Sequence, residues 1–262
     1  MARRTLRGLA LGYLLALLVL PVGMVFARAF ADGLGPVWAA LSRPETLHAL
    51  WLTLAIAAVA VPANTVFGVL CALALVRHDF PGKSIVNAMV DVPFTISPVV
   101  VGLALILVYG QDGWVGSWLA QRGIQVIFAL PGMILATIFI SIPFVVREVA
   151  PVLREIGTEQ EQAASTLGAS GLQTFWQVTL PSIRWGVVYG VVLTTARALG
   201  EFGTVAVVSG KIAGRTETLT VLVEDRFQAF DLAGAYTASL LLALLALATL
   251  FLMNVLTARE EA

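Results

Sequence analysis

Residues 158–181 read TEQEQAASTLGASGLQTFWQVTLP. Glutamate, glutamine, serine and threonine crowd this segment, although apolar runs flank it on both sides. Thr158 and Glu161 have the Thr-x-x-Glu spacing of a capping box, whose two side chains satisfy backbone N–H groups at a helix start. EQEQAAS continues with good helix formers, and Gly168 is placed to stop the helix in the left-handed conformation that glycine tolerates. A second helical stretch, LQTFWQVTL, is expected to end at Pro181, with Leu172, Phe175, Trp176 and Thr179 along one face. The segment therefore predicts helix, glycine turn, helix. A polar hairpin of this kind is either an inert loop or a docking surface for a soluble partner, and its surroundings bear on the choice.

Those surroundings are oily. The 262-residue chain is 59% hydrophobic and 12% charged, with a mean hydropathy of +0.91. Soluble domains carry about 25% charged residues. A bilayer-crossing helix needs about 20 largely apolar residues, and six stretches qualify, at 6–26, 49–76, 85–109, 126–146, 185–208 and 234–256. The expected fold class is all-α, with six transmembrane helices and short connections that leave no room for a separate soluble domain. Pro62 and Asn64 predict a tilt or bend in the second span. The third carries Asp91, Pro93 and Pro98; proline frees backbone carbonyls that lipid cannot satisfy, so this span must be shielded or line a wet cavity.

The basic start and the Ala-Arg-Ala triplet at 27–29 resemble a secretory signal, but the apolar run exceeds the usual signal core, so a retained first helix is expected. With the N-terminus inside, nine lysines and arginines fall in inner segments and six in outer ones. That asymmetry predicts cytoplasmic termini and a cytoplasmic 158–181 hairpin. The organisation read from the sequence is a first helix with its flanks over 1–44, a transmembrane unit over 45–257 and a short cytoplasmic tail at 258–262.

Several chemistries are disfavoured. Net charge is zero, which argues against a nucleic-acid partner. Cys71 stands alone, so neither an intrachain disulfide nor a thiolate cluster is available, and His48 and His78 lack companions at ligand spacing. PGKS at Pro81–Ser84 ends like a phosphate-binding loop, but Arg77 stands where that pattern requires glycine. No other nucleotide fingerprint is present, so any ATP hydrolysis belongs to another chain.

The remaining polar signal lies inside the spans. Arg197 and Glu201 are four residues apart, hence on one helix face. An arginine or aspartate at mid-bilayer costs about 2.5–3.5 kcal/mol on insertion scales, so such groups pair, face protein or face water. They form either a structural salt bridge or part of an anion path or gate. Asp91 either pairs with Arg197 or sits near the inner interface. Thr95 and Ser97 either line a pore or satisfy carbonyls freed by the prolines. Gly200 and Gly203 allow close helix packing there.

The stretch QAASTLGASGLQTFWQVTLP, 162–181, resembles the Glu-Ala-Ala loop of ABC importer permeases: Ala163, Ala164, Gly168, Val178, Leu180 and Pro181 match the pattern. Gln162 stands where that family has glutamate. Together with ARALGEFGTVAVVSGKIAGRTETL, the order of features is similar to the sulfate/thiosulfate permease family and its W-type (CysW-like) subunit, over about residues 45–257. The molybdate permease subunit is close kin, so a molybdate or tungstate permease subunit is the alternative within the class. The resemblance implies a MetI-like permease in the bacterial inner membrane, not itself an enzyme. It implies two permease subunits, a related second chain among them, docked on two cytoplasmic ATPase subunits that bind ATP and magnesium. It also implies a periplasmic anion-binding protein that delivers the cargo near an outward-facing loop at 209–231. The coupling loop carried over is Glu161, Gln162, Ala163, Ala164, Gly168, Leu180 and Pro181, and no cofactor is expected on this chain. An ion-gradient secondary transporter is the alternative from another class; such folds often show internal repeats, and none is evident here.

Overall fold

The computed structural model describes residues 2–31 and 33–258. In chain order the helices are α1 (Ala2–Leu14), α2 (Leu20–Ala29), α3 (Leu34–Leu41), α4 (Pro44–Arg77), α5 (Lys83–Thr95), α6 (Pro98–Tyr109), α7 (Gly116–Ala120), α8 (Leu130–Glu155), α9 (Glu159–Thr166), α10 (Gly171–Thr174), α11 (Leu180–Leu199), α12 (Gly203–Ser209), α13 (Leu219–Gln228) and α14 (Leu232–Ala258). Wider π turns join α1 to α2 at Leu15–Val19 and α10 to α11 at Phe175–Thr179. Among the described residues no strand is present.

Four helical segments are long and apolar enough to cross a membrane as single elements: Leu6–Ala29, Pro44–Arg77, Leu130–Glu155 and Leu232–Phe251. Two bent pairs raise the number to as many as six, α5 with α6 at 113° and α10–α11 with α12 at 52°. The third and fifth stretches are thus broken rather than straight. The first break follows from Pro98. A residue before proline is pushed to extended backbone, and Ser97 and Ile96 both have extended ψ, 133° and 136°. The second falls at Gly200, which closes α11. Pro62 does not interrupt α4, which is helical over all 34 residues. The fourth span starts four residues later and ends nine residues later than hydropathy places it, at Leu130 and Glu155.

The centre of the molecule is α4, α8 and α11. Leu52 shares a core with Met133, Gly68 meets Val145, and Arg77 reaches Leu153, so α4 and α8 run in parallel. Gly190 meets Val145 while Gly186 lies against Val149, so α11 runs the opposite way. A Cβ on Gly68 would sit 2.5 Å from Val145 Cβ, and one on Gly190 would sit 2.9 Å from Val145 Cα. Small residues are what lets apolar helices approach this closely. The N-terminal helix pair is peripheral; Ala29 is its one buried residue among those described, packed with Val37 and Leu240.

Gly68→Ala should therefore lower the thermal midpoint of the detergent-solubilised protein by overpacking, which costs about 1–3 kcal/mol. Gly23→Ala, with open space around it, should leave the midpoint unchanged or raise it. Equal effects at the two sites would mean that α4 and α8 are not held at glycine contact.

Candidate functional site

The polar hairpin folds as α9, a turn, then α10. Its cap differs from the sequence expectation. Thr158 makes no side-chain cap bond; its Oγ1 accepts from Gln162 Nε2 at 3.0 Å. The capping box forms at Ser170 and Gln173 instead, with Ser170 N–H donating to Gln173 Oε1 at 2.8 Å and Gln173 N–H to Ser170 Oγ at 3.4 Å. Gly168 has φ +87°, the left-handed turn that its identity predicts. Pro181 does not end the second helix. It sits in the first turn of α11, where a missing N–H costs little, and the π turn before it keeps the chain helical. The predicted apolar face also divides: Thr179 is buried and Phe175 half-buried, while Leu172 and Trp176 are exposed.

A surface cleft opens between the two arms. Gln160, Ala163, Ala164 and Leu167 line one side and Gln177, Val178, Pro181 and Ser182 the other. Ser182 Oγ donates to Gln160 Oε1 across it at 3.3 Å. Leu167 is 88% exposed at its rim. The alanines keep this wall low, so a partner's surface can approach the α9 backbone. Gln162 and Gly168 are exposed beside it, whereas Leu180 packs into the core that Val149, Leu153 and Ile183 share.

Glu161 points away from the cleft, into a junction that sequence reasoning missed. Arg77, the last residue of α4, donates from Nη1 to Leu153 O at 2.9 Å and from Nη2 to Gly157 O at 2.6 Å. Its Nε lies 3.0 Å from Glu161 Oε2. Glu161 Oε1 also accepts from Thr179 Oγ1 at 2.9 Å. One guanidinium thus joins the ends of α4 and α8 to α9, and Glu161 extends the link to the start of α11. The sequence offered no local sign of this; Arg77 stood out only as the residue that spoils a phosphate-loop pattern.

The second group of candidates lies at the helix breaks, which meet. A Cβ on Gly203 would sit 2.8 Å from Pro98 Cβ, and one on Gly102 would sit 2.7 Å from Val207 Cβ. Arg197 pairs with Glu201 at 2.7 Å, as their spacing predicts. Glu201 is buried, and its other oxygen accepts from Thr204 N–H at 2.9 Å, holding the start of α12. Asp91 does not pair with Arg197. It accepts from Arg147 Nε at 2.8 Å and from Arg147 Nη2, and Asn87 Oδ1 accepts from Nη1 of the same guanidinium at 3.2 Å. The physical reason is position: Asp91 faces the α9 half of α8, while Arg197 sits toward the opposite end. Thr95 donates to Val92 O at 3.0 Å, so its hydroxyl serves the backbone next to the break. Ser97 makes no cap bond at the start of α6, and both hydroxyl residues are exposed.

The opposite end of the bundle is held by ion pairs. Arg43 pairs with Asp231 at 2.8 Å, and Arg226 pairs with Glu45 and approaches Asp231 at 3.7 Å. The bond from Gly234 N–H to Asp231, with Arg43 beside it, holds that carboxyl below the usual range. Glu217, buried in the loop before α13, goes the other way. Desolvation raises its pKa, helped by Asp225 and Glu45 and opposed by Arg226 and a backbone bond from Gly214. A raised carboxyl pKa penalises the folded state when the group is ionised, and the penalty disappears as pH falls below the ordinary carboxylate range. Glu217→Gln should thus raise the thermal midpoint at pH about 8 and lose that advantage toward pH about 4. A pH-independent difference would mean that Glu217 is solvated.

These features define a class: a multi-pass helical membrane protein with two bent helix pairs and an exposed helical hairpin at one end. Residues 64–261 match the family described as binding-protein-dependent transport system inner membrane component, and the chain belongs to that family. It is 52% identical over 251 residues to the sulfate transport system permease protein CysW of Synechocystis sp., covering 96% of this chain and 91% of the relative. The CysW protein of Escherichia coli strain K12 is 49% identical over 245 residues, 94% of this chain and 84% of the relative. CysT of Synechococcus elongatus, also a sulfate transport system permease protein, is 40% identical over 244 residues, 93% of this chain and 88% of the relative. Among solved structures, a bacterial ABC transporter involved in import of the acidic polysaccharide alginate shares the fold. It superposes with a TM-score of 0.81 at 17% identity, covering 98% of this chain and 95% of that chain.

Proposed function

We propose that this chain is one of two permease subunits of an ATP-driven importer that moves sulfate or thiosulfate from a periplasmic binding protein into the cytoplasm. The observation that carries the coupling part is the alanine-walled cleft beside α9, exposed at the end of the bundle where Arg77 joins α4 and α8 to α9. The substrate class is supported by identity of about half over nearly full length to sulfate permeases. A related CysT-type chain is the second permease, and the α9 end faces the cytoplasm, where two ATPase subunits hold ATP and magnesium.

In this reading Gln162, Ala163, Ala164, Gly168 and Pro181 form the docking unit, and Glu161 and Leu180 anchor it to the bundle from behind. Gln162 makes a neutral hydrogen bond to the ATPase in place of the ion pair a glutamate would offer. The path runs along the paired helix breaks, the places where a membrane chain exposes backbone and polar groups to a cavity. Thr95 and Ser97 present hydroxyls on the face of α5 and α6 left uncovered within this chain. Arg197 supplies a positive charge held back by Glu201, so that a divalent oxyanion is attracted and then released. Asp91, fixed on Arg147, keeps the inner end of that path from trapping anions.

The test is co-purification with the ATPase and cargo-stimulated ATP hydrolysis in liposomes with a matched binding protein. Gly168→Asp forces a charged side chain into a left-handed turn. It should cut the stimulated rate at least about tenfold, a loss of about 1.4 kcal/mol in coupling. Uptake driven by an ion gradient alone, with no ATPase co-purifying, would overturn the proposal.

A further inference from the structure

We infer that Arg77, Glu161 and Thr179 are positioning residues that latch α9 to the transport helices, so that the displacement imposed on α9 by the ATPase moves α4, α8 and α11 with it. The inference rests on the docking role of α9 proposed above.

Three observations carry it. First, α9 buries none of its residues, and none belongs to an apolar core. A short helix of this kind is marginal by itself and has little buried surface through which to push. Second, glycine turns flank it, with Gly157 at φ +64° and Gly168 at φ +87°. Chain continuity alone would let α9 swivel on these two hinges. Third, the Glu161 carboxylate is the point where α9 enters the bundle, and both its oxygens are engaged, Oε2 by Arg77 at 3.0 Å and Oε1 by Thr179 at 2.9 Å. A second link is the exposed neutral contact from Ser182 to Gln160.

The chemistry suits a latch. Arg77 is 11% exposed and Glu161 21%, so the pair is mostly shielded from screening, unlike an open surface salt bridge. A guanidinium has a rigid fork of donors, and here the fork spans two carbonyls near the end of α8 as well as the carboxylate. Those carbonyls lie in the last turn of α8 and just beyond it, where intrahelical donors run out. One residue therefore stitches α4, α8 and α9 together, and Glu161 passes the connection to Thr179, directly before α11.

The experiment uses the full complex, permeases with ATPase, in liposomes with binding protein and sulfate. It reads sulfate transported per ATP hydrolysed in Arg77→Gln, Glu161→Gln, the double variant, Thr179→Val and Thr179→Ser. Each of the first two should lower the ratio about tenfold while ATP hydrolysis without cargo continues, and the double variant should be no worse than either single one, because the two act as a unit. Thr179→Ser keeps the hydroxyl and should retain the ratio that Thr179→Val loses. An unchanged ratio overturns the latch, and so do losses that multiply in the double variant. Failure of Glu161→Gln, the mildest change, to assemble a complex would make the trio a folding element and also overturn it. If the wild-type complex itself shows no cargo-stimulated hydrolysis, the docking reading fails instead.

Discussion

Val145 is pressed between two glycines, Gly68 of α4 and Gly190 of α11, and the rest of the bundle takes its register from that contact. In lipid, helices gain little from hiding apolar side chains from one another, so close packing and polar bonds must hold them. The Val145 contact fixes how far α4 and α11 can slide along α8. With the register set, Arg77 falls level with Leu153 at one end and Thr53 falls level with Leu219 at the other. Sliding α4 along α8 by a turn would part Arg77 from Leu153 O.

Helix α11 connects the two candidate functional regions. It begins at the cleft, passes Val145 and ends at Gly200, where the paired breaks meet. The cleft end carries the π turn and Thr179; the far end carries Arg197 and Glu201. A rigid-body tilt of α11 would displace both ends together. Under the proposed importer role, such a tilt would carry a displacement imposed at the cleft to the helix breaks, because packed helices shift between discrete arrangements rather than deform continuously.

Much of this was legible from hydropathy and local pattern. Six apolar stretches follow from hydropathy, and Pro98 marks the third as irregular, where the structure has its 113° break. The 52° break at Gly200 was not anticipated, since LGEFG lacks proline and its hydrophobicity continues through the interruption. The i,i+4 pair Arg197–Glu201 was readable because helix geometry places its members together. Asp91 was assigned alternatives because nothing local shows which cation faces it; Arg147 lies 56 residues away. The same holds for Arg77, whose contacts span 76 to 84 residues and depend on the register of three helices. Glu161 shows the converse error. Its spacing from Thr158 suits a capping box, but the buried guanidinium competes for the carboxylate and wins, and Thr158 bonds Gln162 instead.

The central claim, that the cleft beside α9 seats an ATPase, is tested most directly by a cross-linking side chain at Leu167. This residue is 88% exposed at the cleft rim and far from the packed core. A photo-reactive amino acid placed there, in the complex purified from membranes, should yield a covalent adduct with the ATPase subunit. The same group at Trp114, exposed at the opposite end of the bundle, should yield none. An ATPase that co-purifies yet cross-links at Trp114 and not at Leu167 would contradict the account.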